Sequence, residues 1–300
     1  DEQRKNILLR FNRNFIMKDE INQDSLMIYD TSAVKAEGKT YEDTKWVYNT
    51  CEEKMIKGYA LNKLLLSTEN KLTVLDFELQ NEDKDKTIEM FKQGRRQFGI
   101  NKVVIDAGRD LKGMDFYKKL DDEGFLFYTK ATKSWHFNFG KDYKIEELRK
   151  NRKEELQEEG IISLQVWKED MPLRLVFVLS DPRTFLTNDL EIPEGKIYSY
   201  YKRRWRIETS FKEEKQNLGL GIIPSRKLDG IKTHFLLVLL CFVLSQLILA
   251  KSKIIGIIQG IKLIKRKIVK VFALVIEEYN QIKLEFDIRY KHWRIFDLKF

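Results

Sequence analysis

The chain has 300 residues, 43% hydrophobic and 34% charged, with four prolines and fifteen glycines. That excludes collagen-like, low-complexity and long disordered classes, and leaves room for a core domain of about 150 to 200 residues with insertions or tails. A formal net charge of +9 favours a polyanionic partner, nucleic acid ahead of an anionic membrane surface, because clustered Lys and Arg displace counterions from phosphates.

The chain opens Asp1-Glu2-Gln3-Arg4-Lys5, without Met or an apolar leader, so further residues are expected upstream. Ile7, Leu8, Phe11 and Phe15 recur at helical spacing among Arg and Lys, and residues 1–24 are assigned as a basic helix, a candidate remnant of an N-terminal DNA-binding domain. Residues 25–30 form a short strand, Leu26-Met27-Ile28-Tyr29, closed by Asp30; two more strands, 55–66 and 71–79, flank a turn at 67–70. Residues 83–98 have helical period. Residues 102–106 are a compact apolar strand, Val103-Val104-Ile105, closed by Asp106; 115–123 is helical again and 125–129 is a strand. Three antiparallel strands followed by alternating strand and helix predict an α/β fold, a ribonuclease-H-like mixed sheet with flanking helices, whose first part is placed at 25–135.

Beyond 130 the helical rhythm weakens. The charged run 141–159 is mixed in sign, strand-like pieces follow at 161–167 and 173–180, and 185–188 is a short strand, so 136–198 is assigned as a β-rich insertion. Residues 199–250 complete the core with a helix that Gly219 and Gly221 terminate, then a mostly apolar run at 235–250. That run is shorter than the roughly 20 residues that span a bilayer, so a buried core helix and no membrane partner are expected. The tail 251–300, Ile-rich with Lys262, Lys265, Arg266, Lys267 and Lys270, reads as a packed helical region with a solvated basic face. Cys51 and Cys241 lie far apart, one in a strand approach and one in a buried helix, which implies no disulfide framework and a reducing, cytoplasmic compartment. His136, His234 and His292 lack zinc-ligand spacing.

Within 199–250, Tyr201, Arg204, Glu208 and Lys215 fall in a stripe about 60° wide on an α-helix at about 100° per residue. Beside it, Tyr200, Ile207, Phe211 and Leu218 form an apolar stripe that would seat the helix on the core and leave Glu208 at its rim. A solvated face with an i,i+4 Arg204–Glu208 pair has the same periodicity. The upstream acids decide between the two. If the first and fourth strands pair at the sheet centre, Asp30 and Asp106 become neighbours, and Glu208 from a helix across the sheet completes a cluster of carboxylates. Such a cluster repels itself unless cations bind, and a pair of hard ions, Mg²⁺ or Mn²⁺, suits it and serves in-line phosphoryl displacement.

At every spacing, Tyr201, Arg204, Glu208 and Lys215 match the Tyr-x2-Arg-x3-Glu-x6-Lys signature of bacterial DDE transposases of the insertion-sequence-four family. Asp30-Thr31 resembles that family's first acid motif, Val104-Ile105-Asp106-Ala107-Gly108 its second, and Leu186-Thr187-Asn188 the strand before its Glu helix. The resemblance spans 26–249 and includes a strand-rich insertion between the second Asp and the Glu; Arg109 stands where an aromatic is frequent. It implies a nuclease and strand transferase for cut-and-paste DNA transposition, with Asp30, Asp106 and Glu208 catalytic and holding a pair of Mg²⁺ or Mn²⁺ ions. Tyr201, Arg204 and Lys215 would contact phosphates of double-stranded DNA, at transposon ends and target, in a homodimer assembled on DNA in the bacterial cytoplasm, at the nucleoid. Trp135 and Trp205 could stack on an unpaired base, but burial is the expectation for both. A catalytically silent remnant that only binds DNA is the alternative, and a membrane-surface protein using 235–250 is a third reading.

Overall fold

The computed structural model describes residues 2–15, 21–106 apart from positions 37, 39, 51, 70, 81 and 82, and 113–252. Ala107, Gly108 and Arg109 of the second acid motif, Cys51, His292 and the basic tail from 253 lie outside the described residues. In chain order the elements are α1 (Glu2–Phe15), β1 (Leu26–Lys35), β2 (Lys45–Asn49), β3 (Lys54–Ser67), β4 (Leu72–Leu79), α2 (Lys84–Phe98), β5 (Lys102–Ile105), α3 (Met114–Asp122) and β6 (Leu126–Lys130). There follow β7 (His136–Asn138), β8 (Asp142–Lys144), α4 (Ile145–Asn151), α5 (Lys153–Glu159), β9 (Ile161–Lys168), β10 (Met171–Val178), β11 (Asp181–Thr187), α6 (Glu194–Lys202), α7 (Trp205–Asn217) and α8 (Leu228–Ser252).

All the strands join one sheet. β3 pairs antiparallel with β1, and along its other edge with β2 near its start and β4 near its end. β1, β5 and β6 run parallel, neighbour to neighbour. Antiparallel β4, β3 and β1 followed by parallel β5 and β6 is the ribonuclease-H-like order the sequence predicts. The strands of the later segment extend the same sheet, because β11 pairs with β6, and β10, β9, β7 and β8 follow it outward.

Side-chain alternation sorts the strands between two helical layers. Met27, Tyr29, Val103 and Ile105 point to the side of α2 and α3, where they pack with Phe91, Phe116, Tyr117 and Leu120. Leu26, Ile28, Leu61, Leu65 and Val104 point to the other side, against α1, α6, α7 and α8 through Leu8, Tyr201, Ile207, Phe211, Phe235 and Phe242. Asp30, Lys63 and Asp106 share the parity of this second set. The pleat alone therefore delivers all three to the face that α7 covers.

Several expectations are corrected here. Asp30 does not end its strand: β1 runs on to Lys35, still paired with β3, because Val34 and Ala36 are buried beyond it. The edge strand β2 was not expected; its Lys45-Trp46-Val47-Tyr48-Asn49 is largely exposed and shows no hydrophobic face. The mixed-charge run holds α4 and α5, which bury Ile145, Leu148 and Leu156 and leave their charges in solvent. The expected single helix from Tyr201 to Lys215 is two, α6 and α7, joined at residues 203–204. Helix α1 is a layer of the core, with Leu8 and Asn12 buried, Asn12 Nδ2 donating to the Val74 carbonyl at 2.6 Å, and Arg4 paired with Asp229.

Helix α8 exceeds the apolar run seen in the sequence, and its Leu228–Leu247 part is long and apolar enough to cross a membrane by length and composition. Ile231, Phe235, Leu239, Phe242 and Val243 are buried in the second core. Leu237 and Cys241 lie on its exposed side, so the expected burial of Cys241 is not found.

Gly58 sits where three strands meet, opposite Lys35 of β1 and Lys45 of β2. A Cβ there would lie 2.1 Å from the Val34 carbonyl oxygen, a backbone atom with nowhere to go. Gly58→Ala is expected to destabilise the chain by about 1–3 kcal/mol in urea unfolding, the range of overpacked cores. Gly94→Ala meets the flexible Met27 thioether instead and should cost less.

Candidate active site

Register places the first two acids side by side. Met27, Ile28 and Tyr29 of β1 pair with Val103, Val104 and Ile105 of β5, so Asp30 and Asp106 come next on adjacent parallel strands. β5 stops at Ile105 while β1 continues, which opens one edge of β1 from Asp30 onward. Across that opening lies the joint between α6 and α7.

The joint is a tight turn of i→i+3 bonds. The Arg203 and Arg204 amides donate to Tyr200 and Tyr201 at 3.1 and 2.9 Å, and those of Arg206 and Ile207 to Arg203 and Arg204 at 2.9 and 3.0 Å. Two guanidinium groups pin it to the sheet. Arg203 donates to the carbonyls of Asp24, Ser67 and Thr68, and Arg206 to Ser67 Oγ and the Thr68 carbonyl. The break turns Tyr201 inward, where its ring packs at 5.0 Å on Phe185, and turns Trp205 out, 68% exposed. Trp205 is thus not the buried aromatic expected, whereas Trp135 packs edge-on against Tyr117 in the first core.

Arg204 holds the acids together. Its Nη1 lies 3.1 Å from Asp30 Oδ2 and 3.4 Å from Asp106 Oδ2, and its Nη2 lies 2.6 Å from Glu208 Oε1. Lys130 adds a cation 3.0 Å from Asp106 Oδ1, and the Tyr201 hydroxyl donates to the same oxygen at 3.5 Å. The backbone N–H of Thr31 donates to Asp30 Oδ1 at 2.7 Å. Arg204 Nε is buried without a hydrogen-bond partner, so this guanidinium is bound through its ends. Lys215 stands apart from the cluster: its Nζ donates at 2.7 Å to the carbonyl of Ala33, further along β1.

The electrostatics follow from this packing. Burial raises the Asp30 carboxyl from its ordinary 3.8 to about 6, against the Arg204 cation and the Thr31 amide, which lower it. Burial works against the Arg204 charge, but Asp106, the Tyr201 phenol, Asp30 and Glu208 outweigh it, and the guanidinium pKa is raised. Burial also raises the Tyr201 phenol, with Asp106 adding to it. The folded chain holds the Asp30 proton more tightly than the unfolded chain does. Asp30 therefore contributes stability in full below pH 3.8 and loses it as pH rises through 6. A carboxyl ¹³C resonance titrating near pH 6 is expected, and it should vanish in Asp30→Asn; a full set of resonances titrating below pH 5 would contradict it.

An all-oxygen donor set drawn from β1, the end of β5 and α7 suits a hard divalent cation by its chemistry. As the side chains stand, the guanidinium lies among the acids, and no group of three or more His, Cys, Asp or Glu among the described residues is arranged to hold an ion.

Behind the cluster is one that sequence reasoning missed. Lys63, opposite Asp30 in the β1–β3 register, is fully buried and donates to Ser210 Oγ at 2.7 Å and to both oxygens of Glu214 at 2.7 and 2.8 Å. The signal was a lysine inside the apolar run Leu61-Asn62-Lys63-Leu64-Leu65-Leu66. Lys130 was missed as well, although it ends the third parallel strand with the parity of Tyr128, which faces α6.

A family model described as "Transposase DDE domain" matches residues 21–244. No curated protein sequence matches the chain. Among solved structures, Ciona intestinalis Endonuclease V in complex with a 24mer DNA is similar at 7% identity and a TM-score of 0.30, over 69% of this chain and 96% of that one. The Drosophila P element transposase strand transfer complex is similar at 10% identity and a TM-score of 0.27, over 78% of this chain and 53% of that one. Marinitoga piezophila Argonaute in complex with guide RNA is similar at 9% identity and a TM-score of 0.26, over 64% of this chain and 29% of that one.

Proposed function

Because the chain belongs to the Transposase DDE domain family, we propose that it is a DNA transposase of the insertion-sequence-four type that cleaves transposon ends and transfers the freed strand to target DNA. The observation that carries this reading is the convergence of Asp30, Asp106 and Glu208, from three separate elements, on one guanidinium at 2.6 to 3.4 Å. Three acids gathered around one cation at the open edge of a sheet form a seat for positive charge.

When bound, a pair of Mg²⁺ or Mn²⁺ ions would supply activation of the attacking oxygen and stabilisation of the leaving one. Asp30, Asp106 and Glu208 are the residues that would hold them. Arg204, displaced from the acids, reaches the phosphate that enters, and Tyr201 is placed to donate its hydroxyl proton in a hydrogen bond to a phosphate oxygen. Lys215, whose Nζ lies at the β1 edge beside the Ala33 carbonyl, contacts the DNA backbone and positions the end without reading its sequence. The substrate is double-stranded DNA, the working form is a homodimer that pairs two ends, and the site of action is the bacterial nucleoid.

The test is cleavage of a duplex carrying the element's own ends. Mg²⁺- or Mn²⁺-dependent release of a 3′-OH end, lost on chelation, supports the reading. DNA binding with no cleavage under any of these conditions would leave the silent DNA-binding remnant in its place.

A further inference from the structure

We infer that the buried Lys63–Glu214 pair, closed by Ser210, is a positioning device that sets the roll of α7 and thereby where Glu208 meets Asp30. This rests on the proposed function. Lys63 and Glu214 are both 0% exposed, and the ammonium's three protons are taken up by Ser210 Oγ and the two Glu214 oxygens. The Ser210 hydroxyl in turn donates to the Ile207 carbonyl at 2.7 Å, and the ammonium lies 3.8 Å from the centre of the Phe211 ring.

A buried ion pair is a weak source of net stability, because desolvation offsets most of the attraction and apolar residues of the same volume serve as well. What it adds is direction. On α7, Ser210 and Glu214 face the sheet while Glu208 projects about a third of a turn from Glu214 and nearly half a turn from Ser210. Apolar packing tolerates a small roll of a helix, since burial is non-directional. A roll of about 20–30° would carry a carboxylate about 6 Å from the helix axis through about 2–3 Å, well beyond the roughly 0.5 Å that a catalytic constellation tolerates. Three charge-assisted bonds to a lysine fixed in the β3 backbone do not permit that roll. Because Lys63 lies directly across from Asp30, the same residue references α7 to the strand that carries the first acid.

The experiment is the double variant Lys63→Met/Glu214→Leu in the full chain, which removes both charges and keeps the volume. Expected are a Tm within a few degrees of the parent, Mn²⁺ affinity without DNA, measured by electron paramagnetic resonance, at least tenfold weaker, and end-cleavage kcat at least tenfold lower with KM for DNA within twofold. Parental Mn²⁺ affinity and kcat in the folded double variant, or a change confined to KM or Tm, overturn the inference. If the double variant does not fold, Ser210→Ala, which removes one of the three bonds, takes its place. About a threefold loss of Mn²⁺ affinity and kcat is then expected, and parental values overturn the inference. Failure of the functional reading looks different: the parent chain itself would neither bind Mn²⁺ nor cleave.

Discussion

Asp106→Asn and Glu208→Gln are each expected to lower metal-dependent end cleavage by at least about 10³-fold, some 4 kcal/mol of barrier, while affinity for end DNA stays within about threefold. Each amide keeps the shape and one acceptor oxygen of the acid it replaces and removes its charge. Asp106 Oδ1 and Oδ2 face Lys130 and Arg204, and Glu208 Oε1 faces Arg204, so each substitution takes one negative charge from a seat built on three. Binding of the DNA backbone draws on the cations, which these variants leave in place. Cleavage of end-labelled duplex on denaturing gels, beside gel shifts in Ca²⁺, separates the two quantities. Parental cleavage by either variant would remove that residue from the site.

Lys63→Met alone is expected to destabilise the chain by about 3–5 kcal/mol, because it strands the Glu214 carboxylate in a dry core. In a domain of this size each kcal/mol moves Tm by about 2–4 °C, so a fall of roughly 6–20 °C is expected in calorimetry. Burial already presses both partners toward their neutral forms, Lys63 down and Glu214 up. Without the ammonium, burial drives Glu214 to its neutral form, and the loss should shrink as pH is lowered from its raised pKa toward the ordinary 4.5. A Tm unchanged at neutral pH would mean that water reaches Glu214 and that the pair is not the dry contact seen here.

Much of the site was legible because it follows from periodicity. Asp30 and Asp106 share a sheet face through strand alternation from Ile28 and Val104, and the β1–β5 pairing that makes them neighbours follows from the expected strand order. Glu208 and Arg204 share a helix face at i,i+4 spacing whether or not the helix continues. The break at 203–204 was not legible. No Pro or Gly marks it, and what holds it is Arg203 and Arg206 bonding carbonyls of residues 24, 67 and 68, far away in the chain. Burial of Tyr201 and exposure of Trp205 follow from that joint, and so both escaped a reading based on one straight helix.

The sequence by itself determined the family signature, the ribonuclease-H-like strand order and the face on which each acid lies. These are properties of local repeat, set by backbone sterics at a period of two in strands and 3.6 in helices. Only the tertiary structure decided which charge answers which: that Arg204 sits among three acids, that Lys215 turns instead to the Ala33 carbonyl, and that a lysine in an apolar strand meets Glu214 beneath the site. Apart from Glu208, four residues from Arg204, these partners lie about a hundred or more residues apart, and spacing along the chain carries no information about them. They are selected by the packing of α7 on the sheet, where a charge removed from water must find its counterpart.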